Sequence, residues 1–175
     1  DDEFRDTVDL IWFPTGGGKT EAYLGLISFL IVWRRLTFSS SGGGTSVIMR
    51  YTLRLLTEQQ YHRATRIICA LELMRQRTRS LGREPITVGM WVGEKVSPNN
   101  FSAAQKLVRQ ATEGRVAAQQ RLVIKACPWC ETPFVAPENY KSSQSEFGFC
   151  CTNADCDFGN SNSLPCNVVD EALYK

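Results

Sequence analysis

Histidine, long apolar runs and basic residues at the N-terminus are all scarce in this sequence. His62 is the single histidine among 175 residues; it falls in a basic segment and is interpreted as a surface residue, so no Ser/His/Asp or Cys/His nucleophile system is predicted. The first residues are acidic and lack the basic segment and apolar core of a secretory signal. The uncharged run Ala22–Trp33 is shorter than the roughly 20 residues that cross a bilayer. We therefore expect a cytoplasmic protein with no membrane contact.

The composition is that of an ordinary globular protein, with 43% hydrophobic and 22% charged residues, which excludes collagen-like and disordered chains. Seven cysteines is an odd number. Without a secretory signal they indicate metal ligands or free thiols in a reducing compartment rather than disulfides. The chain starts with Asp1 and stops at Lys175 just after a short apolar run, so we expect it to be part of a longer protein.

Charge is unevenly distributed along the chain, although the net charge is only +2. Residues 34–125 contain sixteen Lys and Arg and five Glu, whereas residues 1–33 and 126–175 carry net charges of −4 and −5. Most of the central basic residues are arginines, whose guanidinium groups suit phosphates. The central segment is therefore a candidate for contact with nucleic acid. The alternative is a solvated, Arg-rich helix face.

Apolar periodicity predicts strands that alternate with helices. The predicted strands are Val8–Phe13, Val47–Tyr51, Ile86–Val92, Leu122–Ala126 and Asn167–Val169, and the predicted helices are Lys19–Arg35, Leu53–Arg79 and Phe101–Gln120. The first helix is expected to be buried, and its apolar pattern consists of Ala22, Tyr23, Leu26, Phe29, Leu30 and Trp33. Gly114 is a candidate break in the last helix. Strands alternating with helices predict an α/β fold with a parallel sheet.

The segment Thr15–Thr20 is a candidate phosphate-binding loop between the first strand and the first helix. Its three glycines allow successive backbone N–H groups to point at one anion, and the helix N-terminus adds positive potential. Lys19 can reach the β- and γ-phosphates of ATP, and the Thr20 hydroxyl can bind Mg²⁺. Phe13 replaces the first glycine of the strict Walker pattern, and the alternative is a glycine-rich turn with a chance Lys-Thr. The predicted ATP-binding residues are Thr15, Gly16, Gly17, Gly18, Lys19, Thr20 and Glu21, with Lys19 and Thr20 as the catalytic pair.

Four cysteines form two pairs in the last third of the chain. Cys127 and Cys130 enclose two residues, and twenty residues separate them from a second pair, Cys151 and Cys156. Two pairs at this separation predict a zinc ribbon in which four thiolates hold Zn²⁺ tetrahedrally. Cys150 competes with Cys151 as a ligand. A redox Cys-x-x-Cys site is the weaker alternative, because it leaves the second pair unexplained.

Other residues around the ribbon have their own interpretations. Acidic residues surround the cysteine pairs and favour a protein contact over DNA; they are Glu131, Glu138, Glu146, Asp155 and Asp157. The remaining cysteines, Cys69 and Cys166, are interpreted as core residues.

The ends of the second and third strands are candidates for nucleic-acid contact. Thr52 and Arg54 resemble the motif with which superfamily 2 helicases grip the nucleic-acid backbone, since a hydroxyl at a helix N-terminus and a nearby guanidinium suit a phosphate. The alternative makes Thr52 a plain helix cap and Arg54 a solvated residue. Trp91, after the third strand, is interpreted as core rather than as a stacking platform.

The run Val168–Glu171 is similar to the acidic motif that holds magnesium and activates water in nucleic-acid motors. Asn167 interrupts the apolar run before it, and Ala172 and Leu173 follow where such motors have Ala-His or Ala-Asp. We therefore leave Asp170 unassigned and expect the acidic motif beyond Lys175.

Four stretches together resemble the DrmA-type superfamily 2 helicases of the bacterial DISARM phage-defence system: Trp12–Gly25, Arg50–Leu56, Gly89–Gly93 and Cys127–Cys130. The first is shared by many helicases, whereas the second is more particular to this family. The resemblance covers most of the chain. It implies ATP hydrolysis, DNA binding and a partner protein in a defence complex.

With this resemblance, the chain is interpreted as the ATP-binding part of a DNA helicase or translocase. The expected domains are a RecA-like domain over residues 1–126 and 166–175, interrupted by the zinc ribbon over 127–165. The expected cofactors are ATP, Mg²⁺ and Zn²⁺, and the chain alone is expected not to hydrolyse ATP at motor-like rates. Two other classes stay open: a P-loop ATPase switch that ignores nucleic acid, and a non-enzymatic interaction module built on the ribbon.

Overall fold

The computed structural model describes residues 18–38, 42–50, 54–159 and 163–173, with only the backbone of residues 54–57. In chain order its elements are α1 (Lys19–Phe38), α2 (Arg54–Arg77), a 3₁₀ turn (Arg79–Leu81), β1 (Val88–Gly89), α3 (Phe101–Thr112), α4 (Val116–Arg121), β2 (Tyr140–Ser142), β3 (Phe147–Phe149), β4 (Cys166–Asn167) and α5 (Asp170–Leu173). The predicted strand Val8–Phe13 lies outside the described residues.

A parallel pair of strands, β1 and β4, joins the middle of the chain to its end. Val88 lies opposite Cys166 and Gly89 opposite Asn167, and the backbone N–H of Met90 donates to the carbonyl of Asn167 at 2.9 Å. The return of the chain to a parallel sheet near Asn167 is therefore confirmed. The α/β class holds in this mixed, parallel-stranded form, and the larger RecA-like sheet stays a prediction.

Several predicted strands are shorter or absent. The predicted Ile86–Val92 contributes only the two residues of β1, and Leu122–Ala126 contributes a single antiparallel bridge from Ala126 to Pro133. Residues 47–50 form no strand, and Ile48 is 87% exposed. These segments are apolar enough to read as strands, but pairing requires a neighbouring strand in register, which a local pattern does not reveal.

The helices match their predicted positions closely, except that one predicted helix is divided in two at Gly114. Gly114 has φ +80°, a left-handed conformation that suits glycine after a helix end, so the predicted helix Phe101–Gln120 is two helices, α3 and α4. The side chain of Asn100 caps α3 by accepting a hydrogen bond from the N–H of Ala103 at 2.8 Å.

Helix α1 packs with the face opposite to the predicted one, so the prediction that it is a buried helix is wrong. Its buried residues are Leu24, Ile31 and Arg35, which face α2 and the 3₁₀ turn. In contrast, Leu26 is 57% and Phe29 is 65% exposed. Because α1 is apolar nearly all round, its sequence offers two apolar stripes.

Arg35 explains which of these stripes is buried. Its guanidinium donates to three backbone carbonyls of the segment after α2, those of Leu81, Glu84 and Pro85 at 3.3, 2.6 and 3.2 Å. A buried cation needs such partners. The stripe that includes Arg35 is therefore fixed against this segment.

One core cluster connects α2, α3, the hairpin β2–β3, the cysteine region and β4. Cys69 on α2 is fully buried and Cys166 on β4 is 5% exposed, which confirms both as core residues. The hydroxyl of Tyr61 on α2 donates to the carbonyl of Asn167 on β4 at 2.8 Å. A smaller cluster joins α1 to α2 and consists of Ile31, Ile68, Leu71 and Ile86. No helix among the described residues is long and apolar enough to cross a membrane.

Candidate functional site

The sulfur atoms of Cys127, Cys130, Cys151 and Cys156 all lie within 4.8 Å of one another. The Sγ atoms of Cys127 and Cys156 are 4.0 Å apart, and those of Cys130 and Cys151 are 3.5 Å apart. Four thiolates at about 2.3 Å from one Zn²⁺ have sulfur–sulfur distances of roughly 3.8 Å. The four side chains therefore fit a tetrahedral zinc site, and the structure brings together the four cysteines that the spacing singled out.

The first cysteine pair lies on a tight turn that aims backbone N–H groups at sulfur. The backbone N–H groups of Cys130 and Trp129 lie near the sulfur of Cys127 and act to lower its pKa. The N–H of Glu131 donates to the carbonyl of Cys127 at 2.9 Å, and Glu131 has φ +65°. This left-handed residue turns the chain so that both thiols point to the same side.

The second pair has a similar arrangement. The N–H of Phe158 donates to the sulfur of Cys156 at 3.4 Å. The N–H of Cys156 donates to the carbonyl of Asn153 at 3.2 Å, and the Asn153 side chain accepts from the N–H of Asp155 at 3.0 Å. Hydrogen bonds of this kind stabilise the thiolate form, which is the form that binds metal.

The cluster of four sulfur atoms includes Cys151 and not Cys150, which favours Cys151 as the ligand. The thiol of Cys150 donates to the carbonyl of Glu138 at 3.2 Å. Its backbone is held by Asn139, which accepts the Cys150 N–H on its carbonyl and donates its side-chain amide to the Cys150 carbonyl at 2.8 Å. Adjacent residues of an extended segment point to opposite sides, so only Cys151 faces the cluster.

Asn139 is a supporting residue that sequence reasoning missed. It is 1% exposed, and its side chain also accepts from the N–H of Val135 at 2.8 Å. Both ends of the amide are therefore used inside the ribbon. A lone Asn in a polar segment gives no periodic signal, so the sequence offers nothing that distinguishes it from a surface Asn.

The acidities of the thiols differ across the cluster. Burial raises the pKa of Cys127, and burial raises that of Cys156 to about 11. At Cys130 burial acts in the same direction, but hydrogen bonds from Thr132 and from the Cys151 and Cys156 thiols outweigh it and lower the pKa to about 6. Of these three cysteines, Cys130 therefore loses its thiol proton most readily.

Aromatic side chains support the cysteine turns from inside the ribbon. Phe149 and Phe158 are each 1% exposed. Phe158 contacts Trp129 edge-to-face with ring centroids 6.2 Å apart, and Tyr140 contacts Phe149 across the hairpin at 5.7 Å. These contacts fix the positions of the two turns relative to the hairpin.

Two of the ribbon's acidic residues contact this chain's own basic helix. Arg66 pairs with Glu131 at 3.1 Å, and Arg77 pairs with Asp157 at 3.3 Å. Asp157 also accepts from the indole N–H of Trp129 at 2.9 Å. These two acids therefore pair with α2 of the same chain, and the interpretation of the acidic surroundings as a contact for another protein stays a prediction.

The described part of the phosphate-binding segment begins at Gly18, whereas Thr15, Gly16 and Gly17 lie outside the described residues. Gly18 has φ +75°, and its carbonyl accepts from the N–H of Ala22 at 3.1 Å. Helix α1 therefore begins at Lys19, as predicted. Lys19 is exposed and Thr20 is half-buried.

Glu21 and the predicted nucleic-acid residues have mixed outcomes. The Glu21 carboxylate pairs with Arg63 of α2, so it links the two helices. Thr52 lies outside the described residues, and Arg54 begins α2 with its side chain undescribed. Their roles stay predictions.

Trp91 contradicts its interpretation as a core residue, because it is 72% exposed. Met90, which lies between β1 and Trp91, is buried at 4% exposure. In an alternating strand one neighbour points inwards and the next outwards, and here it is the smaller side chain that points inwards.

Asp170 and Glu171 follow β4 at the same sheet edge. One carboxylate oxygen of Asp170 is buried and lacks a hydrogen-bond partner among the described residues, and the nearby side chain of Trp91 acts to lower the pKa of this carboxyl. Burial raises the pKa of Asp170. Glu171 has a structural role instead: its carboxylate accepts from the N–H of Phe101 at 2.8 Å, at the start of α3.

Comparison with known proteins gives one informative similarity. No protein-family model matches the sequence. The DISARM protein DrmA of Bacillus paralicheniformis (strain ATCC 9945a / NCIMB 11709 / CD-2) is 39% identical over an alignment that covers 98% of this chain and 16% of that protein. The chain thus spans about one sixth of the length of the relative that it matches. The similarity to that DrmA protein extends over nearly the whole length of this chain.

Proposed function

We propose that this chain is the ATP-binding part of a DNA helicase or translocase that acts in phage defence, with a zinc ribbon as a structural module. The proposal of ATP binding rests on the start of α1. There Lys19 and Thr20 follow Gly18, which has a left-handed backbone conformation. A helix N-terminus of this kind can receive phosphates. The similarity to a DISARM protein supports the defence role.

The zinc ribbon has a structural part in this proposal. Four thiolates occupy every position of a tetrahedral Zn²⁺, so no position is open for substrate. The residues that would hold the metal are Cys127, Cys130, Cys151 and Cys156. The ion would tie the two cysteine turns together beside α2.

Asp170 is our candidate for the carboxylate that works with Mg²⁺ in ATP hydrolysis. It follows β4 at the carboxyl end of a parallel strand pair, the edge at which open α/β sheets bind ligands. A buried oxygen with no partner among the described residues is available to accept a hydrogen bond from water or to bind a cation. This assignment replaces the expectation of an acidic motif beyond Lys175.

ATP hydrolysis by the full-length protein tests the motor assignment. We expect hydrolysis to increase with DNA, and Lys19→Ala and Asp170→Asn each to reduce it about a hundredfold or more. Lys106→Ala, an exposed lysine on α3, is the matched control. Hydrolysis that ignores DNA would favour the ATPase switch. If Lys19→Ala had no effect, ATP binding at this loop would be excluded.

Metal analysis tests the ribbon. We expect about one zinc for each chain, lost in Cys151→Ser and kept in Cys150→Ser, a matched control one residue away. Equal zinc in both variants would contradict the ligand assignment. If Cys127→Ser abolished partner binding while Lys19→Ala left it intact, the ribbon would be the working module instead.

A further inference from the structure

Cys130 is the most exposed of the four cysteines in the cluster. Cys127, Cys151 and Cys156 are 1%, 3% and 8% exposed, whereas Cys130 is half-buried. A metal ion held by four thiolates leaves by successive detachment of its ligands, and detachment begins where water or a competing ligand can reach a sulfur atom. The side chains that surround the Cys130 sulfur are therefore in a position to control how fast the site opens.

The hydroxyl of Thr132 contacts this exposed sulfur, with Oγ1 and Sγ 3.1 Å apart. The form of cysteine that binds metal is the thiolate, which carries no proton, so in the metal-bound protein the hydroxyl must be the donor. The backbone of Thr132 is fixed independently, because its carbonyl accepts from the N–H of Cys127 at 2.8 Å. Thr132 is thus held beside the first cysteine turn with its hydroxyl at the sulfur.

Asn153, from the second cysteine turn, determines the direction of the Thr132 hydroxyl. The side-chain oxygen of Asn153 accepts from the N–H of Asp155 at 3.0 Å, which assigns the amide nitrogen to the other side. This nitrogen donates to the Thr132 hydroxyl oxygen at 3.3 Å and lies 3.9 Å from the Cys130 sulfur. A hydroxyl has one proton, and since its oxygen accepts from Asn153, that proton is left for the sulfur.

The turn that carries Asn153 is closely packed. The Asn153 carbonyl accepts from the N–H of Cys156 at 3.2 Å, and a Cβ atom at Gly159 would collide with this same carbonyl. Asn153 is thus fixed relative to one ligand while its side chain acts on another. The hydrogen bonds run in one direction, from the second turn through Thr132 to the sulfur of the first turn.

We propose that Thr132 and Asn153 are positioning residues that hold Cys130 as a zinc ligand and set the rate at which the site releases its metal. The inference rests on the zinc ribbon of the proposed function. Hydrogen bonds to a ligand fix its direction, and loss of such contacts typically costs about 10- to 100-fold in metal affinity. Because all four thiolates remain when either residue is replaced, the loss should appear as faster release of zinc.

Transfer of zinc from the full-length protein to an excess of a chromophoric chelator tests this role. We expect Thr132→Val, which keeps the shape of the side chain and loses the hydroxyl, to release zinc about ten times faster. Thr132→Ser keeps the hydroxyl and should release zinc at nearly the normal rate. Thr152→Val is the matched control within the ribbon, because the Thr152 hydroxyl meets the side chain of Asn139 at 3.4 Å instead.

Asn153→Ser separates the two bonds of the Asn153 side chain. Serine can still accept from the N–H of Asp155 in the turn, but it has no amide to donate to Thr132, so release should again be faster. Zinc that remains in Cys151→Ser measures any other site of the full-length protein and is subtracted.

Cobalt substitution gives a readout that general loosening of the ribbon would not change. Co²⁺ bound by four thiolates shows a sulfur-to-metal charge-transfer band, whose energy falls when a thiolate loses a hydrogen bond and becomes a better electron donor. We expect this band at longer wavelength in Thr132→Val than in the normal protein or in Thr132→Ser. An unshifted band would overturn the role even if release were faster, and so would release from Thr132→Val at the normal rate.

These outcomes are separable from failure of the proposed function. A normal protein that binds neither zinc nor cobalt at the four cysteines overturns the ribbon itself. Bound metal, with Thr132→Val indistinguishable from the normal protein, removes only the role of Thr132 and Asn153. ATP hydrolysis is measured separately, so its absence would leave the conclusions about the metal site standing.

Discussion

Glu72 shows how single side chains stabilise the junction between α2 and β1. It is 5% exposed, and its carboxylate accepts two hydrogen bonds from Arg75, both at 2.7 Å, and one from Gln76 at 3.1 Å. It also accepts from the backbone N–H of Ile86 at 2.8 Å. Burial alone would raise the pKa of Glu72, but these donors outweigh it and lower the pKa.

Replacing Glu72 by Gln should therefore destabilise the fold in a pH-dependent way. At pH 7 we expect a loss of about 3 kcal/mol in the free energy of unfolding, because the variant leaves Arg75 without its buried carboxylate. A group with a lowered folded pKa stabilises fully above its unfolded pKa of about 4.3. The difference between the two proteins should shrink as pH falls through the folded pKa.

Urea unfolding at several pH values measures this difference. Glu113→Gln is the control, because its ion pair with Arg115 is exposed, with side-chain exposures of 47% and 62%, and should contribute less than about 1 kcal/mol. A Glu72 effect that stayed constant with pH would show that its charge is not what stabilises the junction.

Residues were predictable where the chemistry itself imposes a spacing. The grouping of Cys127/Cys130 with Cys151/Cys156 could be predicted because a tetrahedral metal site would need four thiols at fixed separations. Trp91 could not be placed, because strand alternation does not say which of two apolar neighbours points inwards. Asn139 could not be predicted for a related reason, since most of its hydrogen bonds are to backbone groups, which every residue carries.

At the scale of elements, the contributions of the buried and the exposed face of α1 to stability can be compared directly. Ile31 is 9% exposed and packs against α2, whereas Phe29 is 65% exposed on the other stripe. We expect Ile31→Ala to lower the free energy of unfolding by about 2 to 4 kcal/mol and Phe29→Ala to change it by less than about 0.5 kcal/mol. Chemical unfolding of both variants measures this, and the reverse order would mean that the sequence-predicted face is the buried one.

The extent of each helix was predictable to within a few residues, but the face of α1 was not. Twelve consecutive uncharged residues, Ala22–Trp33, define a helix without defining its inward side. The choice depends on Arg35, whose partner carbonyls at Leu81, Glu84 and Pro85 come from more than forty positions away. Such partners belong to tertiary structure, which local patterns do not contain.

At the scale of the whole molecule, the ribbon and the helices share one core. The cluster that contains Phe149 and Phe158 also contains Tyr61 of α2 and Leu107 of α3. We therefore expect removal of zinc by a chelator to destabilise the helices together with the ribbon, and to lower the midpoint of thermal unfolding by more than about 10 °C. Circular dichroism at 222 nm follows the helices during heating.

A single transition that moves as a whole would support this shared core. The same chelator should have little effect on Cys151→Ser, which already lacks a ligand. Two separate transitions, with the helical one unmoved by chelation, would show instead that the ribbon folds independently of α2 and α3.

The position of the ribbon between two paired strands also sets an order of events during synthesis. All four cysteines of the cluster precede β4, and Cys156 leaves the ribosome ten residues ahead of Cys166. At typical elongation rates of about 5 to 20 residues per second, the ligand set is complete roughly one second before the chain can close its parallel strand pair. A nascent chain could thus bind a metal ion at these four cysteines before its parallel strand pair closes.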